Sequence, residues 1–143
     1  MSEALLEARK AFNLNEIPVG AIITYNDEII GRGHNQIEST KNPLAHAEMI
    51  AIKEALNNLQ KKFLQNCSLY VTLEPCSMCA GAIVLARIEN IYIGTEDEKS
   101  GACGSVFNIA NDDRLNHKCN IYTGIMKDEC SSILKEFFVG LRK

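Results

Sequence analysis

The sequence predicts an α/β domain built around a mixed sheet of five strands. Three observations carry that expectation: two apolar β runs joined by the turn dipeptide Asn26-Asp27, a strand–helix–strand unit between Ser68 and Gly94, and apolar residues at helical spacing near both ends of the chain. No repeat, low-complexity tract or Pro/Gly/Ser-rich linker divides the 143 residues, so positions 1–143 are expected to form a single domain. A chain of this length buries roughly 68–70% of its unfolded surface, so neither disulfides nor a metal is required merely for folding.

Met1 to Phe12 reads as an amphipathic helix, with Ala4, Leu5, Ala8, Ala11 and Phe12 at helical spacing among Glu3, Glu7, Arg9 and Lys10. Val19 to Tyr25 and Glu28 to Gly33 are strands of an antiparallel hairpin. Pro43 precedes a helix expected from about Ala45 to Leu59, whose buried side would hold Ile50, Ile52, Ala55, Leu56 and Leu59. Ser68 to Leu73 is apolar enough for a central strand, and Pro75 breaks the chain before a helix from about Ser77 to Arg87. With Ile91 to Gly94 as the next strand, this is a right-handed βαβ unit, which makes its two strands parallel. Asn120 to Thr123 supplies a fifth strand. Asp128 to Val139 supplies a closing helix with Ile133, Leu134, Phe137 and Phe138 expected to face inward.

Fifteen Lys+Arg against 18 Asp+Glu leave a formal charge of −3. A protein that coats nucleic acid nonspecifically needs a surplus of cations to displace counterions, so any nucleic-acid partner must be met locally. The N-terminus lacks the apolar core of a signal peptide, and no run approaches the ~18 apolar residues of a membrane span. A cytoplasmic protein with no membrane partner is expected. Its six cysteines stay reduced there, which favours a metal site over a disulfide framework. Cys67, Cys103, Cys119 and Cys130 read as small buried hydrophobes, Met49 and Met78 as core or pocket lining, Met126 as a packing residue, and His34 and His117 as structural.

Two short strings stand apart from this framework: His46-Ala47-Glu48 and, thirty residues on, Pro75-Cys76-Ser77-Met78-Cys79, each at the head of a predicted helix. Cys76 and Cys79, three apart at a helix start, suit adjacent corners of a tetrahedral zinc site, with His46 as the third donor. Three protein donors leave one position for water, whose pKa zinc lowers from ~15.7 to about 7. Glu48 is the candidate proton shuttle. Positions i and i+2 diverge on a regular helix, so His46 and Glu48 converge only where the helix begins, which Pro43 places close by. Two helix N-termini aimed at the metal would also favour thiolates. H-x-E with P-C-x-x-C is a known signature of zinc nucleobase deaminases, and all four chemical positions match it. The competing reading is a closed structural zinc site, completed by Cys103, His34 or His117.

The run Thr72-Leu-Glu-Pro-Cys-Ser-Met-Cys-Ala-Gly-Ala-Ile83 resembles the bacterial tRNA adenosine deaminases, which convert the wobble adenosine of a tRNA anticodon to inosine. The resemblance covers nearly the whole chain. It includes Glu16-Ile-Pro-Val-Gly-Ala21, His34-Asn35, Pro43-Leu-Ala-His-Ala-Glu48, Arg87-Ile88, Gly94 with Asp97 and Lys99, Gly101-Ala-Cys-Gly-Ser105, Asn116-His117, and Phe137-Phe138 with Arg142. It implies a three-layer α/β/α, cytidine-deaminase-like fold with a five-stranded mixed sheet, a homodimer, one zinc ion per subunit on His46, Cys76 and Cys79, and Glu48 as the catalytic proton shuttle. It further implies that Asn35 and the backbone N–H of Ala47 meet the adenine edge and that Val19 and Leu73 line its pocket. Asp97 and Lys99 would belong to a loop that meets the anticodon nucleotides. Read from its neighbours alone, Asn35 is also a plausible turn residue after Gly33. Two departures stand out: Leu44 occupies a position where the family commonly has Thr, and the first helix is shorter than in many members. The expected function is hydrolytic deamination of adenosine in a tRNA anticodon loop. The alternatives are a free-base or nucleoside deaminase of the guanine or cytosine type, and a catalytically silent RNA-binding or scaffold subunit with structural zinc.

Overall fold

Asn26 and Asp27 both adopt positive φ, 50° and 64°, the backbone of a two-residue hairpin turn whose twist matches the strands it joins. In this computed structural model, which describes residues 1–141, the turn connects β1 (Gly20–Tyr25) to β2 (Glu28–His34). Ahead of them lies α1 (Ser2–Asn13). After them come α2 (Ile37–Thr40), α3 (Ala47–Leu59), β3 (Ser68–Leu73), α4 (Ser77–Ala86), β4 (Asn90–Thr95), β5 (Asn120–Tyr122) and α5 (Lys127–Leu141). Arg142, part of the C-terminal resemblance, lies outside the described residues.

The strands form one mixed sheet in the order β2-β1-β3-β4-β5. β1 runs antiparallel to β2 and β3, while β3, β4 and β5 are parallel. On one face, Ala21, Ile23, Leu69, Val71, Ile91 and Ile93 pack against Ala51, Ala55, Ala80 and Ile83 of α3 and α4. The opposite face carries α1 and α5: a Cβ at Gly20 would collide with the α1 backbone at Ala4, and one at Gly94 with Cys130 of α5. This is the expected three-layer α/β/α arrangement.

The helix faces differ in detail from the apolar pattern. α3 turns Ala47, Ala51, Ile52 and Ala55 inward and leaves Ile50, Leu56 and Leu59 only partly buried. Small residues win here because the helix lies directly on β2, where a Cβ at Gly33 would run into the Ala47 carbonyl. In α5 the buried positions are Cys130, Ile133 and Phe137, and Phe138 is 42% exposed. Phe138 falls at the edge of the stripe that Cys130, Ile133 and Phe137 define. α1 buries Glu7 as well as its alanines, because Lys10 Nζ at 2.6 Å and His34 Nδ1 at 3.2 Å meet the carboxylate.

α2 was not foreseeable from local pattern. Its Glu38 and Ser39 N–H groups donate to the carboxylate of Glu16 at 3.0 and 2.7 Å, and Glu16 is itself buried in the loop between α1 and β1. An apolar periodicity cannot announce a turn held by a distant acid. The six cysteines are all free, with Cys67, Cys103, Cys119 and Cys130 buried as expected.

Candidate active site

α3 begins at Ala47, two residues later than its predicted start, and that shift matters. His46 is its N-cap and Cys76 is the N-cap of α4, with ψ of 151° and 178° respectively. An extended N-cap points its side chain past the first turn, and packing of the two helices on the sheet brings the ends together. His46 Nδ1 stands 3.7 Å from Cys76 Sγ and 3.6 Å from Cys79 Sγ. Ligand atoms of all three lie within 4.8 Å of one another, so the group could hold a metal ion. Tetrahedral zinc with ordinary Zn–S and Zn–N bonds separates the N and S donors by about 3.6 Å, which this spacing fits. The donor set of two sulfurs and an imidazole favours zinc over magnesium or calcium.

The groups of the cluster shift one another's proton affinities. Hydrogen bonds from Cys79 and His46 pull the Cys76 thiol down to about 3 despite burial. The contact with Cys76, burial and the nearby Glu48 hold Cys79 above the usual thiol range. His46 is raised by its bond to Cys76, against the effect of burial. A divalent cation at the centre would relieve the repulsion between two thiolates and a carboxylate.

Glu48 occupies the second position of α3 and is 4% exposed. Burial pushes its carboxyl up to about 7, although its own backbone N–H and His46 oppose the rise. A group with that affinity takes and gives protons readily at neutral pH. The candidate fourth ligands lie elsewhere. His34 Nδ1 meets Glu7 at 3.2 Å, and His117 Nε2 meets the Ile88 carbonyl at 2.6 Å. Among the described residues, the group that could hold a metal contains His46, Cys76 and Cys79 and does not include Cys103.

Asn35 is 7% exposed. Its Nδ2 donates to the Ile17 carbonyl at 3.1 Å, and its Oδ1 accepts the Ala47 N–H at 2.9 Å. The two groups expected to meet a substrate edge therefore bond each other. Val19 packs into the core, and its carbonyl accepts the Asn35 N–H at 3.2 Å. Leu73, Asp97 and Lys99 come together along a groove of about 570 Å³, with Ile17, Leu134 and Phe138 on its other walls. Lys99 is exposed. The Asp97 carboxylate, by contrast, is spent on its own turn, accepting from Lys99 N–H at 3.0 Å and the Ser100 hydroxyl at 2.9 Å.

Sequence reasoning assigned no role to Glu74, which is 4% exposed beside the turn that bears Cys76. Its available signal was a charge interrupting an apolar strand just before Pro75. The partners that explain its burial lie 23 to 31 residues downstream.

A five-stranded mixed sheet bearing a His–Cys–Cys cluster on two helix N-termini, with a buried carboxylate beside it, defines a deaminase of the cytidine-deaminase-like class. The MafB19-like deaminase family matches residues 1–142. A tRNA-specific adenosine deaminase of Aquifex aeolicus (strain VF5) is 50% identical over 97% of this chain and 91% of its own. One of Bacillus subtilis (strain 168) is 45% identical over 100% of this chain and 89% of its own. A solved structure from work on A-to-I editing by tRNA:A34 deaminases at the wobble position of transfer RNA superposes with a TM-score of 0.90, at 38% identity, covering 94% of this chain and 97% of that one. The chain belongs to the MafB19-like deaminase family and, within the range of these relatives, to the tRNA-specific adenosine deaminases.

Proposed function

We propose that this protein hydrolyses adenosine to inosine at the wobble position of a tRNA anticodon, with one zinc ion held by His46, Cys76 and Cys79. The observation that carries the reading is geometric: Glu48, a buried carboxylate at the second residue of α3, stands beside the His46, Cys76 and Cys79 group that could hold a metal ion. When bound, zinc supplies the Lewis acidity that makes water nucleophilic near neutral pH. Glu48 accepts a proton from the attacking water and passes it to the purine ring nitrogen beside C6. It then helps protonate the departing 6-amino group, so that a C–O bond forms, the C–N bond breaks, and ammonia leaves.

Asn35 is oriented for substrate by its bonds to Ala47 and Ile17. Its Oδ1 keeps a second lone pair and its Nδ2 a second hydrogen, which suit a purine edge or a ribose hydroxyl. The Ala47 N–H reaches the base only if its bond to Asn35 opens. Val19, behind Asn35, supports that side of the pocket. Leu73 and Lys99 share the groove with exposed Phe138, a combination of cation and aromatic face that suits splayed nucleotides. Extruding a base costs a few kcal/mol, least in a loop.

A homodimer and a cytoplasmic location complete the proposal. α4 reads Ser77-Met-Cys-Ala-Gly-Ala-Ile-Val-Leu-Ala86, apolar nearly all round, yet Leu85 is 78% exposed; a helix of that kind is usually covered. No described helix is long and apolar enough to cross a membrane. The deciding experiment compares turnover of an anticodon stem-loop carrying the wobble adenosine with turnover of guanine and cytidine. Inosine in the stem-loop is expected. Turnover confined to the small substrates would replace this reading with a free-base or nucleoside deaminase.

A further inference from the structure

We infer that Glu74 is a positioning residue that fastens the loop bearing Asp97 and Lys99 to the turn bearing Cys76. Its carboxylate lies between Leu73, the last residue of β3, and the break at Pro75. Oε1 accepts the Asp97 N–H at 3.1 Å and the Ser105 hydroxyl. Oε2 accepts the N–H groups of Cys103 and Ser105 at 3.0 and 3.2 Å. Backbone bonds frame the same junction, from Glu74 N–H to the Thr95 carbonyl at 2.9 Å and from Ala102 N–H to the Pro75 carbonyl at 2.8 Å. The loop closes so tightly that a Cβ at Gly101 would strike the Glu74 carboxyl group.

A carboxylate suits this place because it is purely an acceptor and every partner is a donor. An amide at position 74 would turn an NH₂ group toward backbone N–H groups. A second carboxylate extends the order outward: Asp97, whose N–H is held by Glu74, accepts the N–H groups of Lys99 and Ser100 on its Oδ1 at 3.0 and 3.3 Å. Fixation thus runs from the Cys76 turn through Glu74 and Asp97 to Lys99 on the groove wall. The kinetic consequence rests on the proposed function: Glu74 governs how well RNA is held while Glu48 alone moves the protons.

The test uses the full-length, metal-loaded protein as Glu74→Gln, Ser105→Ala, Lys99→Ala and the Glu74→Gln/Lys99→Ala pair. Metal content, amide hydrogen exchange, and kcat and KM on an anticodon stem-loop are measured for each. Glu74→Gln is expected to keep its metal, to raise KM roughly tenfold with kcat within about threefold, and to speed exchange at Asp97, Cys103 and Ser105. Ser105→Ala moves the same readouts in the same direction by a smaller factor. The double variant should show less than the product of the two single effects, because Glu74 acts through the loop that carries Lys99. Unchanged KM, or a fall in kcat together with metal loss, overturns the inference. If Glu74→Gln does not fold, unchanged KM and exchange in Ser105→Ala overturn it instead. A parent enzyme that leaves the stem-loop untouched would sink the proposed function, and the exchange data would still decide whether Glu74 holds the loop.

Discussion

Asn35 Oδ1 accepts the backbone N–H of Ala47 at 2.9 Å, tying the end of β2 to the residue between His46 and Glu48. The first N–H groups of a helix have no partner within it. Here one of them is satisfied by the residue that follows β2, so the helix start that presents His46 and Glu48 is located by a side chain twelve residues earlier.

Replacing Asn35 with Ala should therefore damage both fold and function. Loss of the bonds to Ala47 and Ile17 is expected to cost about 1–2 kcal/mol in a urea titration and to raise KM on an anticodon stem-loop. Unchanged KM alongside the stability loss would restrict Asn35 to a helix cap.

Glu48→Ala should retain zinc, since His46, Cys76 and Cys79 remain. Removing a general acid–base group is expected to lower kcat by about 10²–10⁴. Metal analysis beside single-turnover kinetics checks this, and turnover at the parent rate would rule out the proton-shuttle role.

Glu16 predicts a pH effect remote from the chemistry. Burial pushes its carboxyl up, but the N–H groups of Glu38 and Ser39 outweigh burial and hold it below the ordinary 4.5. A carboxyl depressed on folding adds stability that is fully present above that value and is lost as pH falls through the folded-state pKa. Glu16→Gln should lower the urea midpoint at pH 7, and the gap from the parent should narrow below pH 4.5. A gap independent of pH would show that hydrogen bonding to Glu16 does not depend on its charge.

Salt dependence of RNA binding should be shallow. With a chain charge of −3 and binding by pocket shape, stacking and Lys99, a plot of log affinity against log salt is expected no steeper than about −3. A markedly steeper slope would mean that an assembled dimer gathers a basic groove that the per-chain charge hides.

The element order was legible because hairpin turn chemistry, apolar strands and helix-start prolines are local signals. So was the metal cluster, since H-x-E and P-C-x-x-C carry their own spacing. The faces of α3 and α5 were less legible. Ala51 takes the inward place that larger residues suggested because Gly31 and Gly33 bring β2 against the helix, and a side chain's depth depends on what lies across from it. Asp97 shares a groove with Leu73 and Lys99, yet its carboxylate serves its own turn.

The sequence by itself determined the chemistry: which donors could hold zinc, which acid stands beside them, and the α/β framework that carries both. Tertiary structure decided how these groups are aimed. His46 became an N-cap, Asn35 closed on Ala47, and Glu7, Glu16 and Glu74 were buried as acceptors for donors from other segments. The reason is physical: spacing along a chain fixes what two nearby residues can do together, whereas burying a charge is tolerable only when the fold delivers its partners.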